Sequence, residues 1–559
     1  MTTTTPRRRA RAALASLGLV ALLTSACSSG GSDSTPTTGL VDTGSTTTIT
    51  GGHTCDQGAT TTDLQAAPVA GVESDWDVTS FDGTTIRAHW FPTPGSEADR
   101  KPTLLMGPGW SLAGSTIEAG ALAFGALDIK AMNDQGYNVL TWDPRGFGKS
   151  TGQATVDAAD REGRDVQVLL DWVAEQPEAL LDRPGDPRTG MVGFSYGGGI
   201  QLTVASIDCR VDAIVPGLAW HSLGTSLYKA ATVKSGWSTI LTSLVDPTHL
   251  DPHIVSAAKS GIGNGTLSDE DRDWFLSRGP GDDGMAGIDV PTLFVQGTVD
   301  TLFTLDEAIT NYRALRKRGV PTAMLWFCGG HGTCLTATDD MERVTKAQFA
   351  WLDRYVKGDA KADVGPALDL VDQDATVWTG ADYPVPLGAP VTAQGSGTLT
   401  LEKASQAGPI SPPATRSPDL LRDLVVPVTP AKAATAVDVS IDPGTRDALA
   451  LGAPSLHLEY RGTSPDGVEP TRVFAQLVDD EKGVVVGNQI TPIDVTLDGQ
   501  PHTADVPLEV IAQHLEGGHT LTLQLVATTV AYATPRLGGS IDFSVVTISI
   551  PVAKGVRKG

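Results

Sequence analysis

Short apolar stretches alternate with amphipathic ones between residues 103 and 356, and this alternation limits the possible fold more than any other feature. Residues 103–106 and 190–194 have the length and composition of buried strands. Residues 156–174, 305–317 and 341–356 have the periodicity of helices packed on one face. Parallel strands need crossover connections of this kind, which are usually helices. The sequence therefore predicts an α/β domain over residues 67–357, with a mostly parallel sheet covered on both faces.

Three regions depart from this alternation. Residues 218–287 contain several helix-like pieces and lie between two predicted strands, so we expect an inserted helical cap. Residues 358–390 contain several prolines and no clear periodicity, which predicts a linker. Residues 391–559 consist of β-branched, alternating segments separated by turn signals such as Asp466-Gly467. This pattern predicts a C-terminal β sandwich or jelly roll.

The amino terminus has the features of a bacterial lipoprotein signal. A basic start is followed by an apolar stretch over residues 12–23, which is too short to span a membrane. Residues 23–27, LTSAC, then predict cleavage before Cys27 and lipid attachment to it, although Thr24 stands where leucine is usual. The alternative is ordinary secretion with cleavage near Ala26. We therefore predict a signal peptide (1–27) and an exported protein held on the outer face of the cytoplasmic membrane by lipid alone, or else secreted.

Residues 28–66 are rich in Ser, Thr and Gly, which predicts a flexible linker because such a segment buries little apolar surface. Four cysteines remain after Cys27, and an even number in an exported protein indicates disulfides. Cys328 and Cys334 are near neighbours and are expected to pair. Cys55 and Cys209 would then form the second bond.

Charge excludes one class of partner. The chain has 41 basic and 65 acidic residues, a formal net charge of −24. Such an excess of carboxylates argues against binding to nucleic acid or to an anionic membrane surface through a basic patch.

Residues 193–197, GFSYG, fit the G-x-S-x-G nucleophile elbow. In that motif a serine occupies a sharp turn between a strand and a helix, and only very small residues fit two positions before and after it. A strand-like stretch precedes Ser195 and a helix-like stretch follows it, as the motif requires. Ser195 is therefore the predicted nucleophile, and the alternative is a purely structural glycine turn.

A serine hydroxyl needs a base to accept its proton and an acid to orient that base. In chains with this elbow the order is serine, acid, histidine. Asp300 follows the predicted strand 291–296 and His331 follows the predicted strand 323–327, so these two are the predicted acid and base. Asp306 is the second choice for the acid, although it falls inside a predicted helix.

Cys328, His331 and Cys334 also have a spacing that metal ligands can adopt. A disulfide that closes a small loop around the histidine is favoured instead, because an exported protein folds in oxidising surroundings. We therefore predict neither a metal nor an organic cofactor. The developing oxyanion needs two N–H donors, for which the sequence offers the amides of Tyr196 and Trp110.

The motifs together resemble one family. Residues 143–150, DPRGFGKS, resemble the D-x-R-G-x-G-x-S loop of X-Pro dipeptidyl-peptidase-like and cocaine-esterase-like (CocE/NonD) α/β hydrolases. The elbow, residues 351–355 (WLDRY) and a trailing β jelly roll are also similar to theirs. The resemblance implies an α/β-hydrolase fold, and we expect Asp143 and Arg145 to form an ion pair that braces their loop. Members often carry a tyrosine in the oxyanion loop, whereas this chain has Trp110, which has no hydroxyl.

The predicted function is hydrolysis of an ester or amide, in a small molecule or peptide, through an acyl-enzyme. A dipeptidyl-peptidase would also need an acidic pocket for the free amine of its substrate, and the cap offers Asp246, Asp251, Glu270 and Asp271. The alternative is a non-enzymatic cell-surface binding protein in which the β domain binds the partner. An intact serine, acid and histidine in the expected order argue against that alternative.

Overall fold

The computed structural model describes residues 57–61, 63–120, 126–332, 334, 340–402, 432–445, 447–465 and 470–559. Cys27 and Cys55 lie outside these residues, as do the signal peptide and most of the predicted linker. Lipidation and export therefore stay predictions from the sequence. None of the helices in the described ranges is both long and apolar enough to cross a membrane.

One large mixed sheet organises the first two thirds of the chain, with the order β1-β2-β3-β5-β4-β8-β9-β12-β13-β14-β15-β27. In chain order, the described strands before residue 381 are β1 (Gln65–Pro68), β2 (Asp75–Thr79), β3 (Thr85–Phe91), β4 (Thr103–Met106), β5 (Asn138–Trp142), β6 (Leu181–Arg183), β7 (Asp186–Pro187), β8 (Thr189–Phe194), β9 (Val211–Gly217), β10 (Tyr228–Lys229), β11 (Thr232–Val233), β12 (Thr292–Gly297), β13 (Thr322–Phe327), β14 (Leu368–Val371) and β15 (Val377–Gly380).

Helices cover both faces of this sheet. The described helices are α1 (Ile129–Asp134), α2 (Glu162–Ala174), α3 (Tyr196–Ile207), α4 (Leu223–Leu227), α5 (Ser235–Ser243), α6 (Pro252–Asn264), α7 (Asp269–Leu276), α8 (Gly281–Gly287), α9 (Leu305–Arg318) and α10 (Met341–Tyr355). The central strands β4, β8, β12 and β13 are buried along their whole length and pair in parallel with their neighbours. The predicted α/β-hydrolase fold is confirmed, and α4–α8 lie in the interval predicted to form the cap.

Two details differ from the sequence predictions. The helix expected over residues 156–174 begins only at Glu162, because Val156 and Asp157 have φ angles of 59° and 53°. The Glu162 carboxylate accepts hydrogen bonds from the Thr155 and Ala158 amides and so folds the preceding segment into a turn. Residues 358–390, expected to be a linker, contain β14 and β15, which extend the large sheet.

The end of the predicted amino-terminal linker is also bound to the body of the protein. The Thr60 amide and hydroxyl donate to the Asp171 carboxylate in α2, and β1 pairs with β2. Thr60 and residues 65–68 are thus held against the body of the protein, unlike the flexible tether that the composition of this segment predicts.

The C-terminal region consists of antiparallel sheets packed face to face. Its described strands are β16 (Val391–Thr400), β17 (Val437–Ile441), β18 (Ala448–Gly452), β19 (Ser455–Thr463), β20 (Pro470–Asp479), β21 (Val484–Val485), β22 (Thr491–Thr496), β23 (Asp498–Pro507), β24 (Ile511–Leu515), β25 (Leu521–Val526), β26 (Ser540–Ile550) and β27 (Arg557–Lys558). The order β16-β26-β19-β23 forms one sheet and β17-β25-β20-β21 the other, with β22 beside β20. Alternate residues of β19 are buried, as a strand with one face on a core requires.

The loop that resembles the family motif is braced by different partners from those we expected. Arg145 does not pair with Asp143: its guanidinium donates two hydrogen bonds of 2.7 Å to Asp165 and one of 3.1 Å to Asp82. Asp143 instead accepts from the amides of Gly114 and Lys149. The motif spacing could not identify Asp165, because it lies on α2, twenty residues further along the chain.

Removing the Arg145 side chain should destabilise the fold strongly. In Arg145→Ala the buried Asp165 carboxylate would lose its cationic partner, and losses of about 3–5 kcal/mol in the free energy of unfolding are typical of such changes. Urea unfolding followed by circular dichroism measures the loss. Arg272→Ala is the matched control, because Arg272 pairs with Asp269 and Asp273 in solvent. An equal effect of the two substitutions would contradict this account.

Candidate active site

Ser195 lies in a strained turn between β8 and α3. Its φ and ψ angles are 58° and −117°, a conformation that side chains rarely adopt. The turn is held by the Ser195 amide, which donates to the Gly217 carbonyl at 2.8 Å. Gly193 has a φ of 137°, and a Cβ there would come within 2.7 Å of the Gly107 carbonyl oxygen. A Cβ on Gly197 would collide with the same carbonyl, so the motif glycines are required by contact with the loop after β4.

The structure brings the three side chains predicted to react into one hydrogen-bonded chain. His331 Nε2 lies 2.8 Å from Ser195 Oγ, and His331 Nδ1 lies 2.8 Å from Asp300 Oδ2. Ser195 follows β8, Asp300 follows β12, and His331 follows β13, so each is supplied by the carboxyl end of a parallel strand. Asp300 and His331 are almost completely buried, at 0% and 1% exposure.

The Asp300 carboxylate is fixed on both oxygens. Oδ1 accepts from the Leu302 and Phe303 amides at 2.9 and 2.8 Å, and Oδ2 also accepts from the His331 amide at 3.2 Å. Asp306, the second choice for the acid, lies in the first turn of α9 instead.

The histidine loop is closed by a disulfide between Cys328 and Cys334, as predicted. Because the two sulfurs are joined to each other, neither is free to bind a metal in this arrangement. The imidazole of His331 is flanked edge-on by the Trp237 ring at 5.7 Å and the Phe303 ring at 5.4 Å. Cys209 is disulfide-bonded too, and Cys55, its predicted partner, lies outside the described residues.

The two residues predicted to supply the oxyanion donors are in contact through their side chains. The rings of Trp110 and Tyr196 pack edge-on at 5.3 Å, and the Trp110 indole donates to the Leu241 carbonyl of the cap. Within the described part of the chain, neither backbone amide donates to a protein acceptor. Both residues also line the cleft that opens over Ser195. Their amides are thus free to receive a substrate oxygen.

That cleft has a volume of about 840 Å³, including the space at its open mouth. Its described lining is almost wholly apolar and includes no charged residue. The lining residues are Trp110, Val156, Ser195, Tyr196, Trp220, Leu223, Leu227, Tyr228, Val233, Ser238, Leu241, Thr242, Ile254, Ala257, Ala258, Leu267, Phe275, Leu302 and Phe303. Most of them come from the cap, which therefore forms most of the wall of the cleft.

The acidic residues of the cap lie elsewhere. Asp246 and Asp251 accept hydrogen bonds from backbone amides at helix starts, and Asp271 binds His253. Glu270 is exposed to solvent. None of the four is among the described residues that line the cleft, so the acidic amine pocket considered from the sequence is not formed by them.

A buried acidic pair behind the elbow was not predicted from the sequence. The Tyr196 hydroxyl lies 3.2 Å from the Glu162 carboxylate, and the buried Asp157 carboxylate interacts electrostatically with Glu162. Burial raises the pKa of Asp157 well above its ordinary value of 3.8, and repulsion from Glu162 adds to the rise. Asp157 also has a φ angle of 53°, a backbone conformation that the sequence does not reveal.

Comparison with known proteins places this arrangement in a family. Residues 82–333, from the hairpin to the histidine loop, match the X-Pro dipeptidyl-peptidase (S15) family. This part of the chain is therefore similar to the α/β hydrolase domain of X-Pro dipeptidyl-peptidases. The predicted resemblance is thereby confirmed.

Solved structures share the fold of this dipeptidyl-peptidase-like chain over nearly its whole length. A CocE/NonD family hydrolase from Staphylococcus aureus matches with a TM-score of 0.64 and 13% identity, over 86% of this chain and 93% of that chain. An α-amino acid ester hydrolase matches with a TM-score of 0.60 and 13% identity, over 91% and 100%. Both include the C-terminal β region in the match.

A curated relative, a polyketide transferase from a Penicillium species, is 30% identical over 144 residues, which are 25% of this chain and 43% of that protein. The match therefore spans less than half the length of this relative.

Replacing Asp157 by asparagine should stabilise the hydrolase domain, and more so as the pH rises. An acid whose pKa is raised by folding loses stability as the pH rises above about 4 toward its folded-state pKa. Asp157→Asn removes this loss, so its gain over wild type should grow from pH 5 to pH 8 and reach roughly 1–3 kcal/mol. Thermal or urea unfolding at the two pH values measures it.

The control for this test is Asp160→Asn, three residues away and exposed. It should leave the pH dependence of stability unchanged. If the stability of Asp157→Asn depends on pH in the same way as that of the wild type, Asp157 has a compensating partner in the folded protein and the prediction is wrong.

Proposed function

We propose that this protein is a serine hydrolase that cleaves an acyl bond through a covalent acyl-enzyme. The observation that carries the proposal is the continuous hydrogen-bond chain from Ser195 Oγ through His331 to the Asp300 carboxylate. With Nδ1–H donating to Asp300, the Nε2 lone pair of His331 faces the serine hydroxyl and is placed to accept its proton.

The first half-reaction forms the acyl-enzyme. Ser195 Oγ attacks the substrate carbonyl carbon while its proton passes to His331 Nε2. The carbonyl oxygen becomes an oxyanion, for which we propose the Tyr196 and Trp110 amides as donors. The bond to the leaving group then breaks as His331 returns the proton to that group.

The second half-reaction releases the acid. Water gives a proton to His331 and its oxygen bonds to the acyl carbon, after which the bond to Ser195 Oγ breaks and the serine recovers a proton. Because Asp300 is buried and accepts four hydrogen bonds, its role is to hold the imidazole and stabilise the imidazolium.

Ser195→Ala should reduce hydrolysis of p-nitrophenyl esters by about 10³-fold or more, because the covalent step is lost. Ser206→Ala is the matched control: Ser206 lies on the same helix, and its hydroxyl binds the Thr203 carbonyl. Initial rates at saturating ester measure both variants. Retention of the wild-type kcat in Ser195→Ala would overturn the proposal, whereas absence of hydrolysis by both the wild type and the variant would favour the non-enzymatic alternative.

For the substrate, we propose an ester of an uncharged, apolar acid. A large apolar cleft adjoins Ser195, and its described lining has no carboxylate to receive a free ammonium group. A dipeptide with a free amino terminus would leave its charge unpaired in this cleft, which is costly in an apolar environment. The family name suggests X-Pro peptides as the second candidate, but the lining favours the ester.

Esters with longer acyl chains should be the better substrates. We expect kcat/KM to rise from p-nitrophenyl acetate to the octanoate, because each added methylene enters apolar surroundings. An Ala-Pro p-nitroanilide should be hydrolysed much more slowly. A higher kcat/KM for that anilide than for every ester would contradict the proposed substrate class.

Two single substitutions on α6 test where the acyl group of the ester binds. Ala258 faces the cleft, whereas Val255 on the same helix is 38% exposed. Ala258→Phe should lower kcat/KM for the octanoate about tenfold while sparing the acetate, and Val255→Phe should change neither. Equal losses on both esters would place the acyl group elsewhere.

A further inference from the structure

We propose that the C-terminal β domain is part of the active-site framework, and that its residue Gln489 positions Asp300. The inference rests on the proposed function, since it concerns the acid of the proposed Ser-His-Asp set. It assigns the β domain a role in the reaction that differs from binding a separate partner.

The proposal rests on one buried contact between the β domain and the hydrolase domain. Gln489 Nε2 donates to the backbone carbonyl of Asp300 at 2.9 Å. Gln489 is 5% exposed, and it follows a tight turn in which Gly487 and Asn488 have φ angles of 64° and 54°. A Cβ on Gly487 would lie 3.5 Å from the Thr298 carbonyl oxygen. The turn therefore packs directly on the loop after β12 that bears Asp300, which we call the acid loop.

This contact completes the fixation of the aspartate. The carboxylate of Asp300 is held by amides of its own loop and of the histidine loop, as described above. The opposite end of the residue, its carbonyl, is held by the β domain through Gln489. The peptide plane after Asp300 is thus fixed from outside the hydrolase domain. Without this donor the plane can rotate, and the carboxylate that orients His331 moves with it.

The β domain also holds the cap in place. Lys229 of the cap and Glu509 form a buried ion pair of 2.8 Å, and Arg472 donates to the Ala230 carbonyl at 2.7 Å. The Ala533 amide donates to the carbonyl of Val233, which lines the cleft. The same domain therefore contacts both the acid loop and the cap segment that precedes the α5 helix bearing Trp237.

The test compares two buried glutamines of the β domain. Gln489→Met removes the donor to Asp300 while keeping side-chain length. Gln513→Met is the matched control: Gln513 is 2% exposed and its amide donates to a backbone carbonyl within the β domain, that of His514. Both variants are assayed as full-length protein with p-nitrophenyl octanoate, and their melting temperatures are measured.

We expect Gln489→Met to lower kcat about 10- to 100-fold with KM within about twofold, because the orientation of the base is lost and the acyl cleft is intact. Gln513→Met should keep the wild-type kcat, even where both melting temperatures fall alike. Should the Met variant fail to fold, Gln489→Asn, whose amide is too short to reach the carbonyl, replaces it with the same expected loss of kcat.

A wild-type kcat in Gln489→Met, or an equal loss of kcat in Gln513→Met, would overturn the positioning role. Either result would leave the proposed function standing if Ser195→Ala is inactive. Hydrolysis by Ser195→Ala would instead remove the proposed function itself.

Discussion

The close approach of the β8–α3 turn to the loop after β4 is the constraint on which the site depends. Gly193 and Gly197 both meet the Gly107 carbonyl, and this contact leaves no room for side chains. The packing confines Ser195 to a strained conformation that costs of order 1–3 kcal/mol and is maintained only because its surroundings are rigid. As a result, the Ser195 hydroxyl projects beyond the carboxyl ends of the strands, next to the loops that bear Asp300 and His331.

The surrounding structure makes this end of the sheet rigid and shields it from water. The disulfide between Cys328 and Cys334 closes the histidine loop, Trp237 and Phe303 shield the imidazole, and the cap covers the serine with apolar side chains. A dry site strengthens the interaction of an oxyanion with backbone amides. The β domain contacts both the cap and the acid loop, so the two domains act as one unit around the cleft.

Much of this could be predicted from the sequence because the informative patterns are local. The G-x-S-x-G turn is defined within five residues, and Asp300 and His331 were located because each directly follows a strand-like stretch. The start of α2 was misplaced because Glu162, not the apolar periodicity, decides where the helix begins. The sequence predicts a linker in place of β14 and β15, because these strands are short and lie among prolines.

Contacts between distant segments leave no such local pattern. Arg145 finds Asp165 instead of Asp143, and Gln489 reaches a carbonyl 189 residues away. Backbone angles such as the positive φ at Asp157 are equally invisible in a single sequence. Such contacts depend on how the sheets pack, which residue spacing alone does not determine.

The most direct test of the central claim is to locate the covalent adduct of a fluorophosphonate by tandem mass spectrometry of the digested protein. We expect one phosphonylated peptide, containing Ser195, whose formation is slowed while excess octanoate ester is present during the labelling. An adduct on a different residue, or no adduct on folded protein, would contradict the central claim.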